Sequence, residues 1–233
     1  MIRAFDVATS LAASVARLGA GLNADSIGRR PEKLLEVYEF ESCPYCRKVR
    51  EALTAIDLEA MIYPCPRGGR KFRPKVKKLG GREQFPFLVD PNSGVSMYES
   101  DEIVEYLYST YGAGSPPLLT RLGPINLAST FLASIYRPTT GRFALAHKQP
   151  TKPLELWSFE ASPYCRIVRE ALTTLELPYR LHNVGKGSPS REEFVRRSGK
   201  MMVPYLADPN SGREMFESEE IVAYLFATYA SKR

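Results

Sequence analysis

Short apolar runs alternate with amphipathic stretches along this chain. Leu34 to Phe40 is an apolar and aromatic run bounded by Pro31 and by Ser42-Cys43-Pro44, which predicts a strand. Pro44 suits the first position of a helix, where its missing N–H costs nothing, and Val49, Leu53 and Ile56 then recur on one helical face. Ala60 to Pro64 reads as a second, parallel strand, and Arg73 to Leu79 as a short helix closed by Gly80-Gly81. Phe85 to Asp90 and Val95 to Tyr98 predict a hairpin around Pro91-Asn92-Ser93-Gly94. A last helix starts near Ser100, with Ile103, Tyr106, Leu107 and Thr110 on one face. The predicted order is β-α-β-α-β-β-α.

The same pattern then returns. Leu35 to Leu58 lies over Leu154 to Leu177 at an offset of 119, with about 15 of 24 positions identical. Phe85 to Tyr111 lies over Val203 to Tyr229 at an offset of 118, so one residue is lost between the blocks. Upstream, Thr9 to Arg17 can be laid on Ser129 to Arg137, which suggests a leading helix in each unit. For residues 1–22 the alternative is the remnant of a transit peptide, because the segment is rich in Ala, Ser and Arg. The expected organisation is a leading helix and linker over 1–30, a first domain over 31–112, a linker with helix over 113–152, and a second domain over 153–233.

Composition narrows the class. The 233 residues are 44% hydrophobic and 25% charged, as in ordinary globular proteins, and no apolar run approaches the length of a membrane span. The start lacks the compact apolar core of a secretory signal, so the expected setting is intracellular. Four cysteines are too few for a disulfide scaffold, and only Cys43 and Cys46 have a motif-like spacing, which points to a reducing compartment and to thiol chemistry at one place.

Cys43 falls at a helix N-terminus, where free N–H groups and the helix dipole stabilise a thiolate, and the C-x-x-C spacing brings Cys46 within one turn. Half of a zinc site is the alternative, but no second pair exists and His147 and His182 lie far off in sequence; two buried structural thiols are another. Pro86 follows Phe85 and Pro204 follows Val203, each opening the same hairpin; a cis bond and a proline tolerated at a strand start both fit. Glu99-Ser100 and Glu217-Ser218 stand where a helix begins. A Ser N-cap beside a Glu offers a carboxylate site and an ammonium partner, though plain capping would look the same.

The β-α-β-α-β-β-α order, the Cys43-Pro44-Tyr45-Cys46 turn and the proline entering the third strand resemble the thioredoxin fold of glutaredoxins and of glutathione transferase N-terminal domains. With Val49-Arg50 after the motif and Glu99-Ser100 opening the last helix, each unit is most similar to the glutaredoxin-2 and prostaglandin E synthase 2 branch. The whole chain resembles tandem proteins of photosynthetic organisms. The resemblance implies an α/β protein of two tandem thioredoxin-like domains, each preceded by a helix. It implies glutathione as substrate, with Cys43 attacking glutathione mixed disulfides and Cys46 resolving. The glutathione contacts it implies are Pro44, Tyr45, Phe85, Pro86, Glu99 and Ser100, and in the second unit Val203, Pro204, Glu217 and Ser218. The residue before the proline would pair with the cysteinyl part, and the Glu-Ser pair would hold the γ-glutamyl end.

Ser162 stands in the second unit where Cys43 stands in the first. A hydroxyl does no thiol exchange but can donate a hydrogen bond to a bound thiolate, as the equivalent serine of serine-type transferases does. Three readings compete: a transferase-like site at Ser162, a degenerate structural copy, and a site in which Cys165 is the active thiol. The expected function is a glutathione-dependent thiol-disulfide oxidoreductase, with a non-catalytic glutathione-binding or protein-interaction scaffold as the alternative. Expected partners are glutathione and a glutathionylated or disulfide-bearing protein, with no nucleic acid, no metal and no membrane span. The expected location is the cytoplasm or plastid stroma, without secretion. Glutathione transferases add an all-helical domain for which the sequence shows no counterpart, so activity on bulky electrophiles is not expected. Glu41, close before Cys43, is expected to oppose its ionisation. Arg67, Arg70, Lys71, Arg73, Lys75, Lys77, Lys78 and Arg82 form a run without an intervening acid, read as a solvated face or as an attractor of acidic groups.

Overall fold

The computed structural model describes residues 20–116 and 141–231. The expected leading helices, Thr9 to Arg17 and Ser129 to Arg137, and the transit-peptide alternative fall outside the described residues apart from the end of the 1–22 segment. Within them the first unit runs β1 (Leu35–Glu39), α1 (Pro44–Ala55), β2 (Ala60–Pro64), α2 (Arg73–Gly80), β3 (Phe87–Asp90), β4 (Val95–Met97) and α3 (Ser100–Tyr111). The second repeats it as β5 (Leu154–Ser158), α4 (Pro163–Thr174), β6 (Tyr179–Asn183), α5 (Ser190–Ser198), β7 (Tyr205–Asp208), β8 (Arg213–Met215) and α6 (Ser218–Tyr229). The order is the one read from the periodicity.

All eight strands lie in one open sheet, in the order β4-β3-β1-β2-β6-β5-β7-β8. In each unit the first two strands are parallel, Leu35 opposite Ala60 and Leu154 opposite Tyr179, and the hairpin adds antiparallel. The units join where β2 pairs antiparallel with β6, Ala60 opposite Leu181 and Ile62 opposite Tyr179. The arrangement is that of a two-fold dimer made within one chain.

Strand residues alternate between two faces. Val37, Ile62, Leu156 and Leu181 face a single apolar cluster with Val49, Leu53, Ile103 and Leu107 of the first unit and Val168, Leu172, Ile221 and Leu225 of the second. Helices α1, α3, α4 and α6 cover this side, and the buried face of α3 runs through Ile103, Val104, Leu107, Tyr108 and Tyr111, leaving Thr110 only half-buried. The opposite side carries two smaller clusters, one under α2 around Tyr38, Phe72, Val76 and Phe87, and one under α5 around Trp157, Phe194 and Tyr205.

The incoming chain is threaded through the junction between the units. Gly21 accepts a hydrogen bond at its carbonyl from Ala161 N–H (3.0 Å) and has φ +77°, and a side chain there would put its Cβ 2.7 Å from the Cβ of Glu160. Only glycine fits that position.

Candidate functional site

Cys43 is the N-cap of α1, held in extended backbone (φ −83°, ψ 120°) by the tight turn after β1, with Pro44 as the first helical residue. Its Sγ accepts the Cys46 backbone N–H at 3.3 Å. Burial opposes a thiolate here, but the Cys46 thiol and the N–H groups of Cys46 and Tyr45 outweigh it and hold the Cys43 thiol below its ordinary value. Cys46 moves the other way: burial, its donation to Cys43 and the nearby charges push it well above the ordinary range. The pair is thus divided into a thiol that ionises easily and one that keeps its proton. Cys43 is 4% exposed and the neighbouring Tyr45 39%, so Tyr45 reaches the surface while the cysteine is nearly covered.

The hairpin loop and the last helix meet this turn. The Phe85-Pro86 and Val203-Pro204 bonds are both cis. The Phe85 ring packs edge-on against Phe40 of the turn (6.1 Å between centroids), and Lys48 of α1 donates to Asp101 Oδ1 of α3 at 2.7 Å. Serine capping, expected at Ser100 and Ser218, is not what the structure has. Glu99 (φ 63°) and Glu217 (φ 65°) are the caps, neither makes a side-chain capping bond, and the buried serines are the first helical residues. The left-handed turn at each glutamate moves the serine one place into the helix and leaves the first-turn N–H groups without a side-chain acceptor from their own cap. Glu99 accepts a hydrogen bond from Gln84 Nε2 (2.6 Å) and lies 3.6 Å from Arg82.

The second unit reproduces the geometry with different chemistry. Ser162 caps α4 at φ −71° and ψ 120°, and its Oγ accepts the Cys165 N–H at 3.3 Å. Cys165 is fully buried, and burial raises its thiol above the ordinary value. That weighs against Cys165 as the active thiol. Cys65, just past β2, is also fully buried and raised by burial.

Beneath the two turns lies a buried ionic network that the motifs did not announce. Arg50 donates to Glu160 Oε2 (2.9 Å) across the junction and pairs with Glu39. Arg169 donates to Glu41 Oε2 (3.0 Å) across the junction and lies 2.8 Å from Glu160 Oε2. Arg47 and Arg166 flank them, pairing with Glu51 and Glu170 in their own helices. Arg166 and Arg169 of the second unit draw the Glu41 carboxylate into this network, and Glu39 is an acid that opposes Cys43 ionisation. Burial pushes the Glu39 carboxyl up to about 7, Arg50 lowering it and Glu41 and Glu160 raising it further. Burial also works against Glu160, but Arg169, Arg50 and Arg47 outweigh it and hold that carboxyl at about 2. Where Glu39 stands the second unit has Ser158, which accepts from Arg169 Nη1 at 3.1 Å. One signal for the network was available in the sequence: Glu41, Arg47, Arg50 and Glu51 recur in the second unit as Glu160, Arg166, Arg169 and Glu170.

The basic run is not a uniform solvated face. Arg73 donates to Pro66 O (2.7 Å) and lies over Phe85, and Arg82 lies over Tyr98. Lys75 lies over Tyr38 and Tyr63, and the backbone N–H groups of Arg70 and Lys71 donate to Glu176 of the second unit at 3.1 and 3.2 Å. Among the described residues no group of three or more His, Cys, Asp or Glu side chains is placed to hold a metal, and no helix is long and apolar enough to cross a membrane.

The family model of the glutathione S-transferase N-terminal domain matches this chain twice, over residues 37–116 and 156–233. The chain belongs to that family, as a tandem of two such thioredoxin-like units. Among solved structures, a delta-class glutathione transferase of Nilaparvata lugens is 27% identical over 34% of this chain, with a TM-score of 0.29, and the match spans 37% of that transferase's length. The trimeric glutathione transferase TDR1 of Leishmania is 15% identical over 86% of this chain and 68% of its own, with a TM-score of 0.32. No curated protein matches.

Proposed function

We propose that the protein is a glutathione-dependent thiol-disulfide oxidoreductase that works through Cys43 and Cys46. The observation that carries this reading is the division of the pair: Cys43 at the helix N-terminus with its thiol lowered, Cys46 one turn on with its thiol raised. The Cys43 thiolate attacks the sulfur of a mixed disulfide carrying glutathione. A Cys43–glutathione bond forms, the old S–S bond breaks, and the released thiolate takes a proton. Cys46 then loses its proton and attacks Cys43 Sγ, which forms the internal disulfide and releases glutathione thiolate. Two glutathione molecules restore the dithiol and leave as glutathione disulfide, so two electrons pass to the substrate per cycle. In this reading the backbone of Phe85 before Pro86 pairs with the cysteinyl part of glutathione, and Glu99 and Ser100 receive its γ-glutamyl end. Val203, Pro204, Glu217 and Ser218 are the corresponding places around Ser162, whose hydroxyl would donate to a bound glutathione thiolate without exchange.

Intact masses after treatment with glutathione disulfide test the proposal. Wild type is expected to show a mixed or internal disulfide at Cys43, and Cys43→Ser none. Wild type that stays a free dithiol would remove the proposal. A second reading, a glutathione-binding scaffold without turnover, is favoured by the 4% exposure of Cys43. It is distinguished by calorimetric binding of glutathione without turnover of a small glutathionylated disulfide.

A further inference from the structure

The two units differ sharply on the sheet face covered by α2 and α5. In the first unit a lysine fills this place: Lys75 Nζ lies 4.7 Å from the Tyr63 ring centroid, 5.3 Å from that of Tyr38, and 3.5 Å from Glu36 Oε2. An ammonium group against two aromatic faces and a carboxylate is a favourable arrangement for a cation. The corresponding residues of the second unit are Glu155, Trp157 and His182, on the same positions of β5 and β6. The helices also correspond. Arg73 donates to Pro66 O (2.7 Å) and Arg191 to Val184 O (3.1 Å), and both helices end on a left-handed glycine, Gly81 and Gly199. The residue before the buried Val76 is Lys75, and the residue before the buried Phe194 is Glu193. At this helix position the lysine of the first unit is therefore replaced by an acid.

What stands there is a cleft of about 480 Å³, within the range of small-molecule sites, lined by Glu155, Trp157, His182, Glu193 and their neighbours. The arginines of the cleft are already paired, Arg180 with Glu59 (2.5 Å) and Arg197 with Glu214, the latter lying over the Trp157 ring at 4.9 Å. His182 is 9% exposed and stacks on Trp157. Its Nδ1 lies 2.6 Å from Glu59 Oε1, so in the neutral ring that nitrogen donates and Nε2 is left as an acceptor. Nε2 is buried without a hydrogen-bond partner, 3.3 Å from Glu155 Oε2. In that neutral form a lone pair faces a carboxylate, with Glu193 lining the same cleft, and a buried acceptor without a donor is costly.

We propose that this cleft binds a small primary amine as its ammonium cation, which takes in the second unit the place that Lys75 occupies in the first. The ammonium donates to Glu155, Glu193 and His182 Nε2, and its alkyl chain lies along the cleft. This site is separate from both cysteine and serine turns and does not depend on the glutathione reading. Trp157 is the only tryptophan of the chain, so its fluorescence reports the site directly. Titration of the full chain with 1,4-diaminobutane, at constant ionic strength and above the ordinary histidine range, is expected to give a saturable change in that fluorescence and one-to-one binding by calorimetry. Glu193→Lys supplies the cation internally, in a place where the first unit already accepts lysine, and is expected to weaken binding at least about tenfold. Should that variant fail to fold, Glu193→Gln and Glu155→Gln carry the same comparison, each with clearly weaker binding expected. The proposal is overturned if wild type gives no saturable response, if sodium chloride gives the same response as the diamine, or if the charge-removing variants bind it as tightly as wild type.

Discussion

Glu39 is the residue at which the two halves of the buried network part company, and its consequences are measurable one at a time. Its charge opposes the Cys43 thiolate, so alkylation of Cys43 is expected to reach half its maximal rate below the ordinary cysteine value in wild type, and lower still in Glu39→Gln. A Glu39→Gln profile unchanged or shifted upward would falsify that role. The same substitution bears on stability. Glu39 is raised to about 7 in the folded protein, against about 4.3 for an ordinary glutamate, so folding favours its protonated form. The stability it contributes is fully present below pH about 4.3 and lost as pH rises through about 7. Glu39→Gln, neutral like Ser158, is expected to gain on wild type across that interval in denaturant unfolding and to hold a constant advantage above it. A variant that is less stable than wild type at neutral pH contradicts this account.

At the scale of elements, the Asp-Pro-Asn-Ser-Gly hairpin acts as a clamp on the last helix of each unit. Asp90 Oδ2 accepts the hydroxyls of Tyr106 (2.6 Å) and Tyr111 (2.5 Å), and its Oδ1 accepts from Asn92 N and Nδ2, both at 2.8 Å. Asp208 repeats this with Tyr224, Tyr229 and Asn210. Burial works against the Asp90 charge, but these donors outweigh it and hold the carboxyl at about 2. Asp90→Asn leaves the hydroxyls of the buried Tyr111 and the half-buried Tyr106 competing for one weaker acceptor and is expected to cost about 1–3 kcal/mol at neutral pH. Because the folded value lies below the ordinary one, this stabilisation is present above pH about 4 and fades as pH falls towards about 2. Urea unfolding of wild type and variant across that range checks it, and a gap that stays constant would show that the carboxylate charge is not what the tyrosines need.

For the whole molecule, the central question is whether two units that could each form a core behave as one. The β2–β6 pairing, the shared apolar cluster and the crossed ion pairs of Arg50 with Glu160 and Arg169 with Glu41 all run through the junction. Removing a buried charge whose partner is left uncompensated costs about 3–5 kcal/mol, and Arg50 is the cation shared by Glu39, Glu41 and Glu160, whereas Arg50 itself keeps two carboxylates when Glu39 is neutralised. Arg50→Met is therefore expected to lower the midpoint of a single thermal transition that both units share. Two separate transitions in wild type, or loss of the first unit alone in the variant, would mean that the junction does not couple them.

The alternation of strand and helix, the cis-compatible prolines, the thiol pair at a helix start and the serine in its place were legible because each rests on local patterning repeated 118 or 119 residues later. The capping at Glu99 was misread because a left-handed cap is a backbone property that Glu-Ser does not spell out. Lys75 and Glu193 look alike in sequence as members of charged helices, and only the strands beneath them make one a filled site and the other an open one. Glu41 and Glu39 could not be told apart by distance from Cys43 along the chain, since what distinguishes them is their partners: Arg50 of their own unit pairs with Glu39, and Arg169 of the other unit with Glu41. The sequence determined the two units, with a cysteine at one helix start and a serine at the other, because secondary structure and the placing of a residue at a helix start are short-range. Tertiary structure decided how the units share a sheet, which carboxylates are neutralised and which are left facing a cleft, because those depend on charges brought together from more than 100 residues apart.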